Sequence, residues 1–200
     1  MTARGIHERT RRMVLAAGLA ASMMLMPGGI GLGAAELPAA CDDGKAEATP
    51  AATEGPFFTP DSPERSSLIE PGVSGVRLVV SGLVLSTSCR PVARALLDFW
   101  QSDADGRYDN RGYRLRGHLF TDASGTYRLE TILPGAYAGR TPHIHVKVQA
   151  PNGPVLTTQL YFPGEPRNAT DGIFRPDLLV RMSDAADGKQ ARFDFVLDVD

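Results

Sequence analysis

His143-Ile-His-Val-Lys-Val-Gln-Ala150 is followed, across Asn152-Gly153, by Val155-Leu-Thr-Thr-Gln-Leu-Tyr-Phe162. In the first run Ile144, Val146 and Val148 fall on one face of an extended chain, and His143, His145, Lys147 and Gln149 on the other, because side chains alternate along a strand. Asn-Gly between two such runs signals a hairpin, since both residues accept the positive φ of a tight turn. Alternation returns in Arg192–Val199, where Phe193, Phe195, Leu197 and Val199 share a face. Val76–Leu85, with Gly82 expected to mark a bulge, Ala95–Gln101, and Thr126–Ile132 after the turn Asp122-Ala-Ser-Gly125 complete the predicted strands. Only Pro176–Met182 reads as a short helix. With 21 Gly and 15 Pro in 200 residues, turns are frequent and strands short. The predicted fold is all-β, a β-sandwich of short strands with long loops.

Outward from the strands, residues 36–75 are rich in Pro, Ala and Gly, have no helical period, and read as an extended N-terminal arm. Residues 1–35 read differently again. Arg4, Arg9, Arg11 and Arg12 precede an uncharged run from Met13 to Ala35, ending in Gly33-Ala34-Ala35. That is the pattern of an export signal cleaved near Ala35, and Thr10-Arg11-Arg12-Met13-Val14-Leu15 fits a twin-arginine signal. Pro27, Gly28, Gly29, Gly31 and Gly33 make a poor spanning helix, so no lasting membrane insertion is expected. The predicted organisation is therefore export signal 1–35, arm 36–75 and β-sandwich domain 76–200, in an exported protein, periplasmic or secreted.

The formal charge of −2 and the lack of a basic patch exclude nucleic acid as a partner. Without residues 1–35 the chain keeps 17 basic and 22 acidic residues, and its length suffices for a core without staples. Cys41 and Cys89 lie 48 residues apart, and spacing alone leaves a bridge between them open.

The strongest chemical signal is His143-Ile144-His145. Two imidazoles at i and i+2 of a strand project from one face and can converge on one metal ion. Oxygen donors to complete such a site are offered by Tyr137, six residues earlier in a Pro- and Gly-containing loop, and by Tyr108, in a turn-rich segment after the Trp100 strand. A calcium loop over Asp103–Gly112 fails, since its twelfth position would be Gly112 rather than an acid. Neither a nucleophile elbow nor a phosphate-binding loop appears.

Thr53-Glu-Gly-Pro-Phe-Phe58, Asp98-Phe-Trp-Gln-Ser-Asp-Ala-Asp-Gly-Arg-Tyr108, Leu133-Pro-Gly-Ala-Tyr137, Arg140-Thr-Pro-His-Ile-His145 and Thr158-Gln-Leu-Tyr-Phe162 occur in this order. Together they resemble the intradiol ring-cleavage dioxygenases, non-haem ferric enzymes that open catechols between the two hydroxyls. The resemblance implies Fe(III) held by Tyr108, Tyr137, His143 and His145, with Tyr137 also acting on substrate protons. It further implies an active-site arginine at Arg140, a pocket glutamine at Gln159, and a substrate-pocket wall at Gly55-Pro56. Its implied partners are a small catechol and O2, and a homo-oligomer is left open. Two tyrosinates and a hydroxide would neutralise Fe(III), which suits an apolar pocket. The Tyr137-to-His143 gap is shorter than in the well-known aromatic-degrading members, and the sequence lacks the helical N-terminal dimerisation region found in some of them. Both features are similar to a compact exported branch with a cysteine before the strands and a Cys-Arg-Pro turn, which implies a Cys41–Cys89 bridge. The rival reading is a non-catalytic secreted β-sandwich binding module. A zinc hydrolase is disfavoured because no Glu lies between Leu133 and Gln159.

Overall fold

The computed structural model describes Cys41 and residues 44–199; the predicted export signal lies outside the described residues. Nine strands run through this part: β1 Arg77–Ser86, β2 Leu96–Gln101, β3 Arg116–Phe120, β4 Thr126–Ile132, β5 His143–Gln149, β6 Val155–Tyr161, β7 Arg181–Ala185, β8 Gly188–Arg192 and β9 Phe195–Leu197. They form two sheets. One has the order β4-β1-β8-β7, with β9 pairing the end of β1, and the other has the order β3-β2-β5-β6. Leu78, Val80 and Leu129 of the first sheet, and Leu97, Phe99, Ile144, Val146, Val148 and Leu160 of the second, are fully or almost fully buried in one core. The all-β sandwich expected from alternation is what forms.

Three local expectations need correction. Gly82 marks no bulge, because β1 and β4 pair without interruption from Arg77↔Ile132 to Leu83↔Thr126. Glycine is needed there for a close approach: a Cβ would lie 1.8 Å from the Phe193 carbonyl oxygen. That same crossing parts the predicted strand Arg192–Val199. Ser81 pairs Arg192 and Val84 pairs Phe195 in one continuing register, while between them the Asp194 carboxylate accepts the Leu83 amide at 2.9 Å. Pro176–Met182 is not a helix beyond the single 3-10 turn Pro176–Leu178. The Val180 amide instead donates to the Tyr161 carbonyl at 2.9 Å, which draws the chain out toward β7. Strands β3, β7 and β8 were not anticipated.

The segment from residue 44 to 75 holds no named strand or helix and is pinned along the edges of both sheets. The amides of Ala46, Thr49, Ala52, Arg65 and Leu68 donate to carbonyls of Thr87, Val196, Thr157, His118 and Glu130 respectively. A Cys41–Cys89 disulfide, with Cα atoms 5.9 Å apart, ties the start of this stretch to the β1–β2 turn. Between Ala52 and Arg65 the arm crosses the outer face of the second sheet. That crossing determines the site.

Candidate metal centre and active site

Register places the polar residues of the second sheet in ranks across its outer face. Arg116, Trp100, His145 and Gln159 form one rank, and His118, Asp98, Lys147 and Thr157 the next, while His143 pairs Tyr161. An outward rank on a two-layer sandwich is ordinarily wet. Here His143 and His145 are 1% and 0% exposed, because the arm lies over His145 and the Tyr137 and Tyr161 rings flank His143. Gly55 packs on His145, where even a methyl group would sit 3.4 Å from Cε1, and Phe58 meets Trp100 edge-on at 4.9 Å.

The two histidines converge, with their Nε2 atoms 3.0 Å apart. His143 Nδ1 lies 2.6 Å from the Thr141 carbonyl oxygen and must donate to it, which leaves the Nε2 lone pair free. Burial is the main cause that lowers the His143 pKa to about 4 and the His145 pKa to about 2, with the Arg140 charge adding to both. Both rings are therefore neutral at ordinary pH, the form that ligates metals.

Stitched turns bring the tyrosines to these imidazoles. Asp103 Oδ1 accepts the amides of Asp105 and Arg107, which folds the chain back just before Tyr108. The Gly135 amide donates to the Asp103 carbonyl at 2.7 Å, and Ser102 Oγ donates to the Gly135 carbonyl at 2.9 Å. Gly106 lies so near the Ala136 carbonyl that a Cβ would fall 2.2 Å from its oxygen, and its φ of +80° favours glycine for a second reason. The loops carrying Tyr108 and Tyr137 are thereby held as one body, with the two rings edge-to-face at 5.2 Å. Tyr137 lies 5.6 Å from His143 and Tyr108 6.3 Å from His145, centroid to centroid. Phe57 of the arm stacks on Tyr108 at 4.4 Å.

The Tyr108 hydroxyl is buried with no hydrogen-bond partner among the described residues. Leaving a buried hydroxyl unpaired costs about 1–3 kcal/mol, a cost that a cation bound at the oxygen would remove. Burial also raises the Tyr108 pKa, with Tyr137 adding to the shift, so a cation is needed for its phenolate form. Among the described residues no group of three or more His, Cys, Asp or Glu gathers as a metal site. The oxygen donors whose rings lie nearest the histidine pair are the phenols of Tyr108 and Tyr137. Two neutral imidazoles and two phenols suit a hard, highly charged ion such as Fe(III).

Arg140 stands beside this cluster at the centre of a hydrogen-bonded frame. Its Nε donates to Asp171 Oδ2 at 2.8 Å, and Nη2 to Gln159 Oε1 at 2.6 Å and the Tyr161 hydroxyl at 3.3 Å. Gln159 Nε2 donates to the Thr53 carbonyl at 2.6 Å, which joins the frame to the arm. The structure thus brings together Tyr108, Tyr137, His143 and His145, places Arg140 and Gln159 alongside, and lays Gly55 over them, with Pro56 exposed in the same turn of the arm. Sequence reasoning missed Asp171, which also accepts the Thr141 amide at 3.0 Å, and Arg116, buried beside Tyr108. Neither stands in a hydrophobic period or a recognisable motif.

A family model described as dioxygenase matches residues 53–199. The protocatechuate 3,4-dioxygenase beta chain of Burkholderia cepacia is 40% identical, over 50% of this chain and 51% of that protein. Hydroxyquinol 1,2-dioxygenase of Corynebacterium glutamicum is 30% identical over 70% of this chain and 56% of that protein. The chain therefore spans little more than half the length of these curated relatives. Among solved structures, the dioxygenase domain of a dioxygenase carbohydrate-binding protein fusion from Streptomyces sp. SirexAA-E superposes with a TM-score of 0.75 at 56% identity, covering 77% of this chain and all of that one. The 3-chlorocatechol 1,2-dioxygenase of Rhodococcus opacus 1CP gives 0.70 at 29% identity, covering 75% and 72%. With its β-sandwich, its converging histidines and tyrosines and a family match over most of its length, the chain belongs to the intradiol ring-cleavage dioxygenases.

Proposed function

We propose that this protein is a ferric dioxygenase that cleaves a catechol-type diol between its hydroxyls, both atoms of O2 ending in a cis,cis-muconate-type diacid. The observation that carries this reading is the meeting of His143 and His145 Nε2 at 3.0 Å beside an unpaired, buried Tyr108 hydroxyl. Tyr108, Tyr137, His143 and His145 would hold the iron. When bound, ferric iron supplies Lewis acidity toward the diol oxygens and the redox chemistry needed with O2.

The remaining work falls to the chain. With the ion bound, Tyr137 Oη would accept one of the two diol protons as the substrate binds. Arg140 is a permanent cation, 15% exposed at its side chain, aimed by Asp171 and Gln159. It stabilises negative charge that develops on the substrate in a poorly solvated site. Gly55 over the His145 ring and Phe57 against the Tyr108 ring keep water from these two groups, whereas Pro56 is exposed and the pocket-wall role expected for it has no support in its surroundings.

Purified protein supplied with Fe(III) is expected to take up one ion per chain, show a visible tyrosinate-to-iron band, and consume one O2 per catechol. Trp100, the sole tryptophan, stacks on His145 at 4.8 Å, so its fluorescence should be quenched on loading. Tyr108→Phe should weaken iron uptake and shift the band. Protein that stays colourless after reconstitution overturns the reading.

Export through the twin-arginine route is part of the same proposal. It is supported by Arg11-Arg12 before an uncharged run and by a disulfide at home in an oxidising compartment. Replacing both arginines by lysine should leave the protein inside the cell, with residues 1–35 still attached by mass. Normal export of that variant removes the proposal.

A further inference from the structure

Arg116 is 1% exposed, and fully buried arginines ordinarily face a carboxylate. This one does not. Its Nε and Nη2 donate to the Asp109 carbonyl at 3.0 and 2.7 Å, its Nη1 to the Phe57 carbonyl at 2.6 Å, and Nη2 reaches Asn110 Oδ1 at 3.5 Å. The guanidinium carbon lies 6.0 Å from the centre of the Tyr108 ring.

The two carbonyls it grips come from two separate segments that meet at Tyr108. Asp109 is the next residue in the chain, and Phe57 is the arm residue stacked on the Tyr108 ring at 4.4 Å. The planar, forked guanidinium suits such a grip on two carbonyls, and a lysine ammonium on its flexible stem does not. Arg116 also shares a crosswise rank with Trp100 and His145, which fixes the clamp relative to the histidine pair.

The geometry points to Arg116 as a positioning residue that locks the Tyr108 turn and the arm into one unit, and so aims the Tyr108 oxygen at the metal position. It touches neither substrate nor metal. The inference rests on the ferric reading above, and its test is chosen so that the two fail separately.

Three variants decide it. Arg116→Lys keeps the charge and loses the fork, and Arg116→Met loses both. Arg65→Met is the control, because Arg65 Nε donates to the Arg116 carbonyl at 2.9 Å and supports the same strand from its edge without reaching Tyr108. In iron-free protein, amide hydrogen exchange across residues 55–58 and 108–112 should quicken in both Arg116 variants relative to Arg65→Met. In iron-loaded protein the Arg116 variants should bind Fe(III) about 10–100-fold more weakly with a shifted visible band, while Arg65→Met loses thermal stability and keeps the wild-type band.

Arg116→Lys and Arg116→Met proteins with wild-type iron affinity, band and exchange would overturn the inference. An equal band shift in Arg65→Met would do the same, since any disturbance of the strand would then suffice. Should Arg116→Met fail to fold, Arg116→Lys carries the decision. Wild-type protein without an iron-dependent band would refute the ferric reading alone, and the exchange measurement would still test the clamp.

Discussion

The outer faces of the two sheets are built from similar polar residues and live in opposite environments. On the first sheet the ranks Glu130–Val79–Gln190 and Arg128–Ser81–Arg192 are half-buried or open to solvent. On the second, Arg116–Trp100–His145–Gln159 and the row beside it lie under the arm. The difference is about fifteen residues of chain without regular structure. Covering a polar face removes water from groups that must then find partners, and unpaired buried polar groups are costly. The second sheet meets that demand with an Arg140–Asp171–Gln159 frame, an Arg116 clamp and a proposed metal. The proposed site lies where polar residues have been dried.

The hardest way to break this comparison is to remove the cation at the edge of the covered face. Arg140→Ala should keep the iron band, because Arg140 is not among the proposed ligands, and lower kcat by about 10²–10³-fold, the range for losing one preorganised stabiliser of developing charge. Steady-state turnover beside the visible spectrum checks both halves. Unchanged turnover would take Arg140 out of the reaction.

The sequence disclosed the covered face unevenly, and the reasons are physical. Strands β4, β5 and β6 were legible because their inward residues alternate and Asn152-Gly153 announces the hairpin. Strand β3 was not: opposite Phe99 it offers only Gly117, and its outward Arg116 and His118 look like solvated charge until the arm is laid over them. The β7–β8 hairpin is largely exposed, so it carries no hydrophobic period. Tyr108, Tyr137 and the histidines were legible through motif spacing and resemblance. Asp171 was hidden because its partner Arg140 is 31 residues away, across a stretch of turns whose pairing no local pattern encodes.

Acid should sharpen the contrast in iron-free protein. A histidine titrates near 6.5 when unfolded, whereas burial holds His143 at about 4 and His145 at about 2. Below pH 6.5 the unfolded chain therefore binds more protons than the folded one. Stability is full above that pH and falls as the medium is acidified toward 4 for His143, and further toward 2 for His145. The loss from His143 alone is roughly 3 kcal/mol by pH 4, readable from urea midpoints across the range. Iron bound at the same nitrogens competes with protons, so loaded protein should hold its stability to lower pH. A flat profile between pH 6.5 and 4 would mean that these rings are wetter than their burial implies.

The smallest effect sets two lysine- or arginine-centred ion pairs against each other, one on each outer face. Arg128 pairs with Glu130 across open solvent, with side chains 57% and 42% exposed. Lys147 pairs with Glu54 of the arm, sits 4.5 Å above the Phe58 ring, and is 20% exposed at its side chain. An exposed pair gains little, because water and salt screen it and two long side chains lose freedom, so Arg128→Ala should change the unfolding free energy by no more than about 0.5 kcal/mol. Lys147→Ala also removes a partly desolvated cation–π contact and the packing of its stem, and should cost about 1–2 kcal/mol. Chemical denaturation of the two variants in low and high salt separates them, with the Arg128 effect vanishing in salt and most of the Lys147 effect persisting. Equal costs would mean that the arm does not dry the face it covers, and the contrast between the sheets would have no energetic basis.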